Sequence, residues 1–116
     1  MPRPRKCRKV CRLPRINEFY PMQDSGGSIT LTVDEYETLR LIDKEGFSQE
    51  ECAGYMRVAR TTVQQIYNNA RRKLAEALVD GLRIRIEGGD YTLCDGKEHQ
   101  CGCGGCRRHR QARCSE

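Results

Sequence analysis

The 116-residue sequence predicts a mainly α protein: a three-helix helix-turn-helix domain with short flanking β-strands and a cysteine-rich C-terminal tail. Three observations carry this expectation. Two Ser/Thr-x-x-Glu capping boxes stand in close succession, a long apolar stripe of helical period follows the second, and after Gly81 the period changes from helical to alternating.

The first helix is expected to begin at Thr32-Val-Asp-Glu35, where the threonine hydroxyl accepts from a free backbone N–H and Glu35 reaches back. Val33, Tyr36, Leu39 and Ile42 form its apolar side, and Gly46 supplies the left-handed residue that ends it. Ser48-Gln-Glu-Glu51 opens a short second helix that turns Cys52, Ala53 and Met56 inward and stops near Arg57-Val58-Ala59. On the third helix, expected from about Arg60 to Leu78, one stripe collects Val63, Ile66, Tyr67, Ala70, Leu74, Ala77 and Leu78. At about 100° per residue, Thr61, Gln64, Gln65, Asn68 and Arg72 then project on the opposite face, which is polar and rich in amides. Leu82, Ile84 and Ile86 alternate with arginines, as in a short strand before a glycine turn.

Only 37% of the residues are apolar against 32% charged, so a core of ordinary density cannot run through the whole chain. The expected division is a basic arm over residues 1–20, the helix-turn-helix domain over 31–91 and the cysteine-rich tail over 92–116. Charge follows a related pattern. Residues 1–20 carry seven Lys and Arg against one acid, residues 21–56 two against eight, residues 57–85 seven against two, and residues 86–116 five against five. Two basic blocks around an acidic one suggest a polyanion met by two parts of the chain, with the acidic block turned away. No run approaches the roughly 20 apolar residues of a membrane helix, and no secretory signal follows Met1, so a cytoplasmic protein is expected.

The residue types suit double-stranded DNA. Gln64, Gln65 and Asn68 can make paired hydrogen bonds with an adenine edge, and Thr61 or Thr62 can meet a thymine methyl group or a phosphate. Arg57, Arg60, Arg71, Arg72 and Lys73 are placed to neutralise phosphates, which supplies affinity without sequence choice. The competing reading is a plain three-helix core with a solvated Gln/Asn face. No catalytic set is assembled, so an enzyme is not expected. A homodimer on a two-part site would suit the groove spacing, although no segment marks its interface.

Residues 31–78, through Phe47-Ser-Gln-Glu-Glu-Cys-Ala53, Thr62-Val-Gln-Gln-Ile66 and Ala70-Arg-Arg-Lys-Leu74, resemble the helix-turn-helix of the sigma factor C-terminal region. Met1-Pro-Arg-Pro-Arg-Lys-Cys7, Leu31-Thr-Val-Asp-Glu35, Leu39-Arg-Leu41, the Ala70-Arg-Arg-Lys block and Arg85-Ile-Glu-Gly-Gly89 resemble, more specifically, a prokaryotic family of small predicted DNA-binding proteins filed as domain of unknown function 134. That resemblance implies a sequence-binding regulator without catalytic activity. The resemblance also connects the group to iron-sulfur handling, and with the cysteine-rich tail taken as primary the alternative is a metal-binding adaptor or carrier linked to iron-sulfur or iron-molybdenum cofactor assembly. Two positions depart from the sigma-like pattern: Arg57 stands where the turn usually has glycine, and Ala59 where a Ser or Thr cap is usual. Either Thr61 or Thr62 caps a later start, or a phosphate oxygen meets the free N–H groups.

In the tail, Cys101, Cys103 and Cys106 stand at C-x-C-x-x-C spacing among glycines, and Cys94, His99, His109 and Cys114 are the candidate fourth ligands. Thiolates in this arrangement suit zinc first and an iron-sulfur cluster second. A thiol redox switch and an incidental basic tail are the other readings. Cys7 and Cys11 join the same metal if arm and tail meet, or pack locally on a strand-like segment from Lys9 to Ile16. Cys52 reads as a small buried hydrophobe.

Overall fold

The computed structural model describes residues 8–23 and 26–93. Strands β1 (Arg8–Val10), β2 (Glu18–Phe19) and β3 (Ser28–Leu31) lead into helix α1 (Val33–Leu39), which continues as a π-helical turn over Arg40–Lys44. Helices α2 (Gln49–Met56) and α3 (Arg60–Asp80) follow, then β4 (Arg83–Ile86) and β5 (Tyr91–Leu93). The architecture is three helices with short strands in two small sheets. β1 pairs in parallel with β5, while β4 lies between antiparallel β2 and parallel β3. The parallel β3–β4 pair, with Leu31 opposite Ile86, forces all three helices into the crossover between them.

Both capping boxes form. Thr32 Oγ1 accepts from the Glu35 N–H and Glu35 Oε1 accepts from the Thr32 N–H, and Ser48 and Glu51 repeat the exchange. Gly46 takes φ 82° just beyond the π-helical turn, as its position predicts. The core has two parts. Leu41, Cys52, Ala53, Tyr55, Met56 and Val63 pack where α2 and α3 meet the end of α1, and Val10, Leu31, Val33, Ala70 and Ile86 pack where the helices cover the strands. The alternation in β4 holds, with Ile86 buried and Arg83 and Arg85 exposed.

Four expectations are corrected. Leu78 does not join the core stripe but is 82% exposed, because Ala77 is the last residue of α3 to face a packed neighbour. The arm is not separate from residue 8 onward: Val10 is fully buried and Lys9 lies with its ammonium 4.8 Å from the Tyr55 ring centre. Cys11 is buried in the α2–α3 core rather than outside it, and the strand there is limited to Arg8–Val10. Lastly, the acidic block is not a single outward-facing surface. Asp34, Glu35 and Glu37 of α1 are buried, each facing a cation: Arg8 at 3.3 Å, Lys73 at 2.7 Å and Arg40 at 2.7 Å. A cation offsets the water each buried carboxylate loses, and these three pairs tie the arm, α3 and the π-helical turn to α1.

Candidate nucleic-acid interface

Residues 57–59 join α2 to α3 as a three-residue connection. Arg57 occupies the left-handed region, φ 61° and ψ 44°, in the position that sigma-like sequences give to glycine. Its N–H donates to the Ala53 carbonyl, which closes α2 as a glycine C-cap does. Ala59 has the extended backbone of an N-cap residue, φ −70° and ψ 151°, but no side-chain acceptor. The helix therefore starts at Arg60, and neither Thr61 nor Thr62 caps a later start. Ala59→Ser supplies the missing oxygen on an exposed residue already in the capping conformation. Its expected effect is a gain of about 0.5–2 kcal/mol, read as a higher thermal midpoint.

Helix α3 is 21 residues long, about 31 Å at 1.5 Å per residue. Val63, Ile66, Ala70 and Ala77 anchor its inner side. On the outer side Arg60, Thr61, Gln64, Gln65, Asn68 and Arg72 are exposed, and Thr62 is half-buried at its edge. Ile66 and Ala70, one turn apart on the buried side, fix the rotation that turns Gln65, Asn68 and Arg72 outward. The amide-rich face is thus a continuous solvent-facing surface on a helix braced by α1 and α2.

The predicted phosphate contacts separate into three kinds. Arg60 and Arg72 stand exposed on the open face. Lys73 is turned inward instead, its ammonium 2.7 Å from the Glu35 oxygen that also accepts from the Thr32 N–H. Arg71 is intermediate. Its guanidinium donates to the Tyr67 hydroxyl at 3.0 Å, and that hydroxyl donates to Asp43 at 2.7 Å. The hydrogen bond to Asp43, with burial and the carboxylate charge adding to it, holds the Tyr67 phenol above its ordinary pKa.

Sequence reasoning missed Asp43 and the Tyr67 hydroxyl, because Tyr67 belongs to the apolar stripe and its polar end shows only in three dimensions. It also missed the group that sets the start of the domain. Glu37, fully buried, accepts the Cys11 N–H at 2.9 Å and two hydrogen bonds from Arg40 at 2.7 and 2.9 Å. Burial works against the Arg40 charge, yet Glu37 more than offsets it and keeps the guanidinium pKa above its usual value. Cys52 shares this core. Burial, with Glu37 adding, pushes its thiol up to about 12, so at neutral pH it is a protonated, inert hydrophobe.

The metal ligands read from the tail, Cys94, Cys101, Cys103 and Cys106 with His99, His109 and Cys114, lie outside the described residues, as does Cys7. Among the described residues no group of three or more His, Cys, Asp or Glu is placed to hold a metal ion. No helix among them is long and apolar enough to cross a membrane.

Residues 1–94 match the family described as "Protein of unknown function DUF134". The chain belongs to this family. A UPF0251 protein of Desulfitobacterium hafniense is 58% identical over 118 residues, covering 99% of this chain and 94% of the relative. One of Caldicellulosiruptor bescii is 50% identical over 104 residues, covering 90% and 74%. A third, of Thermoanaerobacter pseudethanolicus, is 48% identical over 115 residues, covering 96% of each chain. No solved structure matches the chain.

Proposed function

We infer that this protein binds double-stranded DNA sequence-specifically and acts as a transcriptional regulator, with the N-terminal half of α3 in the major groove. The observation that carries this reading is the outer face of α3, where Thr61, Gln64, Gln65, Asn68 and Arg72 stand exposed together on a rigidly packed helix. A major groove about 12 Å wide admits one helix, and side-chain amides match the donor–acceptor pair on an adenine edge. α2 precedes it through a three-residue turn, as the bracing helix of such a unit does. The extended Ala59 leaves the first N–H groups of α3 without a side-chain acceptor, and a phosphate oxygen suits them.

Arg57, Arg60 and Arg72 supply backbone affinity in this reading, and Lys73 does not, since Glu35 holds its charge inside the fold. A selection from random-sequence duplexes, followed by affinity measurements at several salt concentrations, tests it. Enrichment of a defined sequence is expected, with an affinity that falls as salt rises by a slope of about −0.9 per phosphate contact. Absence of binding, or binding without sequence preference, would overturn it.

A further inference from the structure

We propose that Asp43 is a built-in competitor for the DNA phosphate, holding Arg71 away from the backbone and so lowering affinity for every duplex without altering base choice. The inference rests on the DNA-binding reading above. Asp43 belongs to the π-helical turn and reaches α3 across 24 residues of sequence, where its Oδ1 accepts the Tyr67 hydroxyl proton at 2.7 Å. Tyr67 in turn accepts from Arg71 at 3.0 Å, and its ring lies 5.4 Å from the guanidinium carbon. The Asp43 Oδ2 to Arg71 Nε separation is 3.9 Å. Asp43 therefore does two things at the flank of the open face: it neutralises one arginine, and it places a carboxylate where a phosphate would have to approach.

Exposure keeps the arrangement weak. The Arg71 and Asp43 side chains are 62% and 41% exposed, and an ion pair so open to water has little net stability, so removing the Asp43 charge releases Arg71 to a phosphate at little cost to the fold. The Lys73–Glu35 pair is shorter, and its carboxylate is only 8% exposed, so it does not exchange on the same terms. One arginine is thus committed conditionally and one lysine permanently.

The test measures wild type and Asp43→Asn on a non-cognate duplex across salt concentrations. Asparagine keeps an oxygen for the Tyr67 hydroxyl and removes the charge. Affinity is expected to rise roughly three- to tenfold, with a salt slope steeper by about 0.9, one additional phosphate contact. The gain should vanish when Arg71→Gln is also present, which is the signature of an effect exerted through Arg71. Independently of any change at Asp43, Arg71→Gln in the wild-type background should flatten the slope less than Arg72→Gln does. An unchanged slope in Asp43→Asn, a gain that survives Arg71→Gln, or equal flattening by the two arginine variants would each overturn the proposal. If neither wild type nor Asp43→Asn binds duplex even at low salt, the DNA-binding reading fails, and this inference with it.

Discussion

Replacing Glu37 by alanine is expected to lower stability by about 3 kcal/mol, because the change removes one partner of a buried ion pair. The carboxylate is fully buried and makes three hydrogen bonds, two from Arg40 and one from the Cys11 N–H. Alanine takes the Glu37 acceptor from a guanidinium that is only 15% exposed and from the Cys11 N–H, and it adds a cavity. Domains of this size have roughly 5–15 kcal/mol in total, so the loss is a large share. A fall in thermal midpoint of more than about 10 °C is the expected measurement. Changing both partners, Glu37→Leu with Arg40→Met, should recover part of that loss, since an apolar pair carries no desolvation penalty. It should not recover all of it, because the Cys11 N–H still lacks the Glu37 carboxylate. A Glu37→Ala midpoint within 2 °C of wild type would show that the carboxylate does not hold the arm to α1.

Changing Gln65 or Asn68 to alanine is expected to cost about 1–3 kcal/mol in discrimination between the selected sequence and a variant of it, with little change in affinity for non-cognate duplex. Both side chains are exposed on the outer face of α3. Their removal disturbs no packing, so thermal stability should be unchanged. Lys73→Ala makes the contrast: its ammonium sits on Glu35, so the expected change is in stability rather than in the salt slope. Equal specificity in both the Gln65 and Asn68 variants would remove the outer face from any role in base readout.

These expectations rest on features of unequal legibility. The capping boxes at Thr32 and Ser48 were readable because each involves residues three apart, and the local chain alone brings their atoms together. The inner stripe of α3 was readable from its period for Val63, Ile66, Ala70 and Ala77, and the polar outer face followed from the same geometry. Leu78 defeated the same rule. Periodicity reports which side a residue occupies and is silent on whether a neighbour lies there, and α3 outruns its neighbours at Ala77. The departures at Arg57 and Ala59 were correctly placed in the turn, but only the backbone decided their consequences: Arg57 adopts the left-handed conformation itself, and Ala59 stands as an N-cap without an acceptor.

Charge was the least legible property. Block counts place acids and bases along the chain, while burial depends on partners distant in sequence. Glu35 meets Lys73 across 38 residues, Glu37 meets the Cys11 N–H across 26, and Tyr67 meets Asp43 across 24. Three acids of the acidic block therefore became part of the internal frame of the domain, and Arg71 and Lys73, both assigned to phosphate, meet protein partners. By itself the sequence determined the helices, the capping boxes at Thr32 and Ser48 and the amide-bearing face, because these depend on local hydrogen bonding and on 3.6 residues per turn. The tertiary structure alone decided which charges stay available to a ligand, because a carboxylate leaves water only where the packed fold brings it a cation and hydrogen-bond donors.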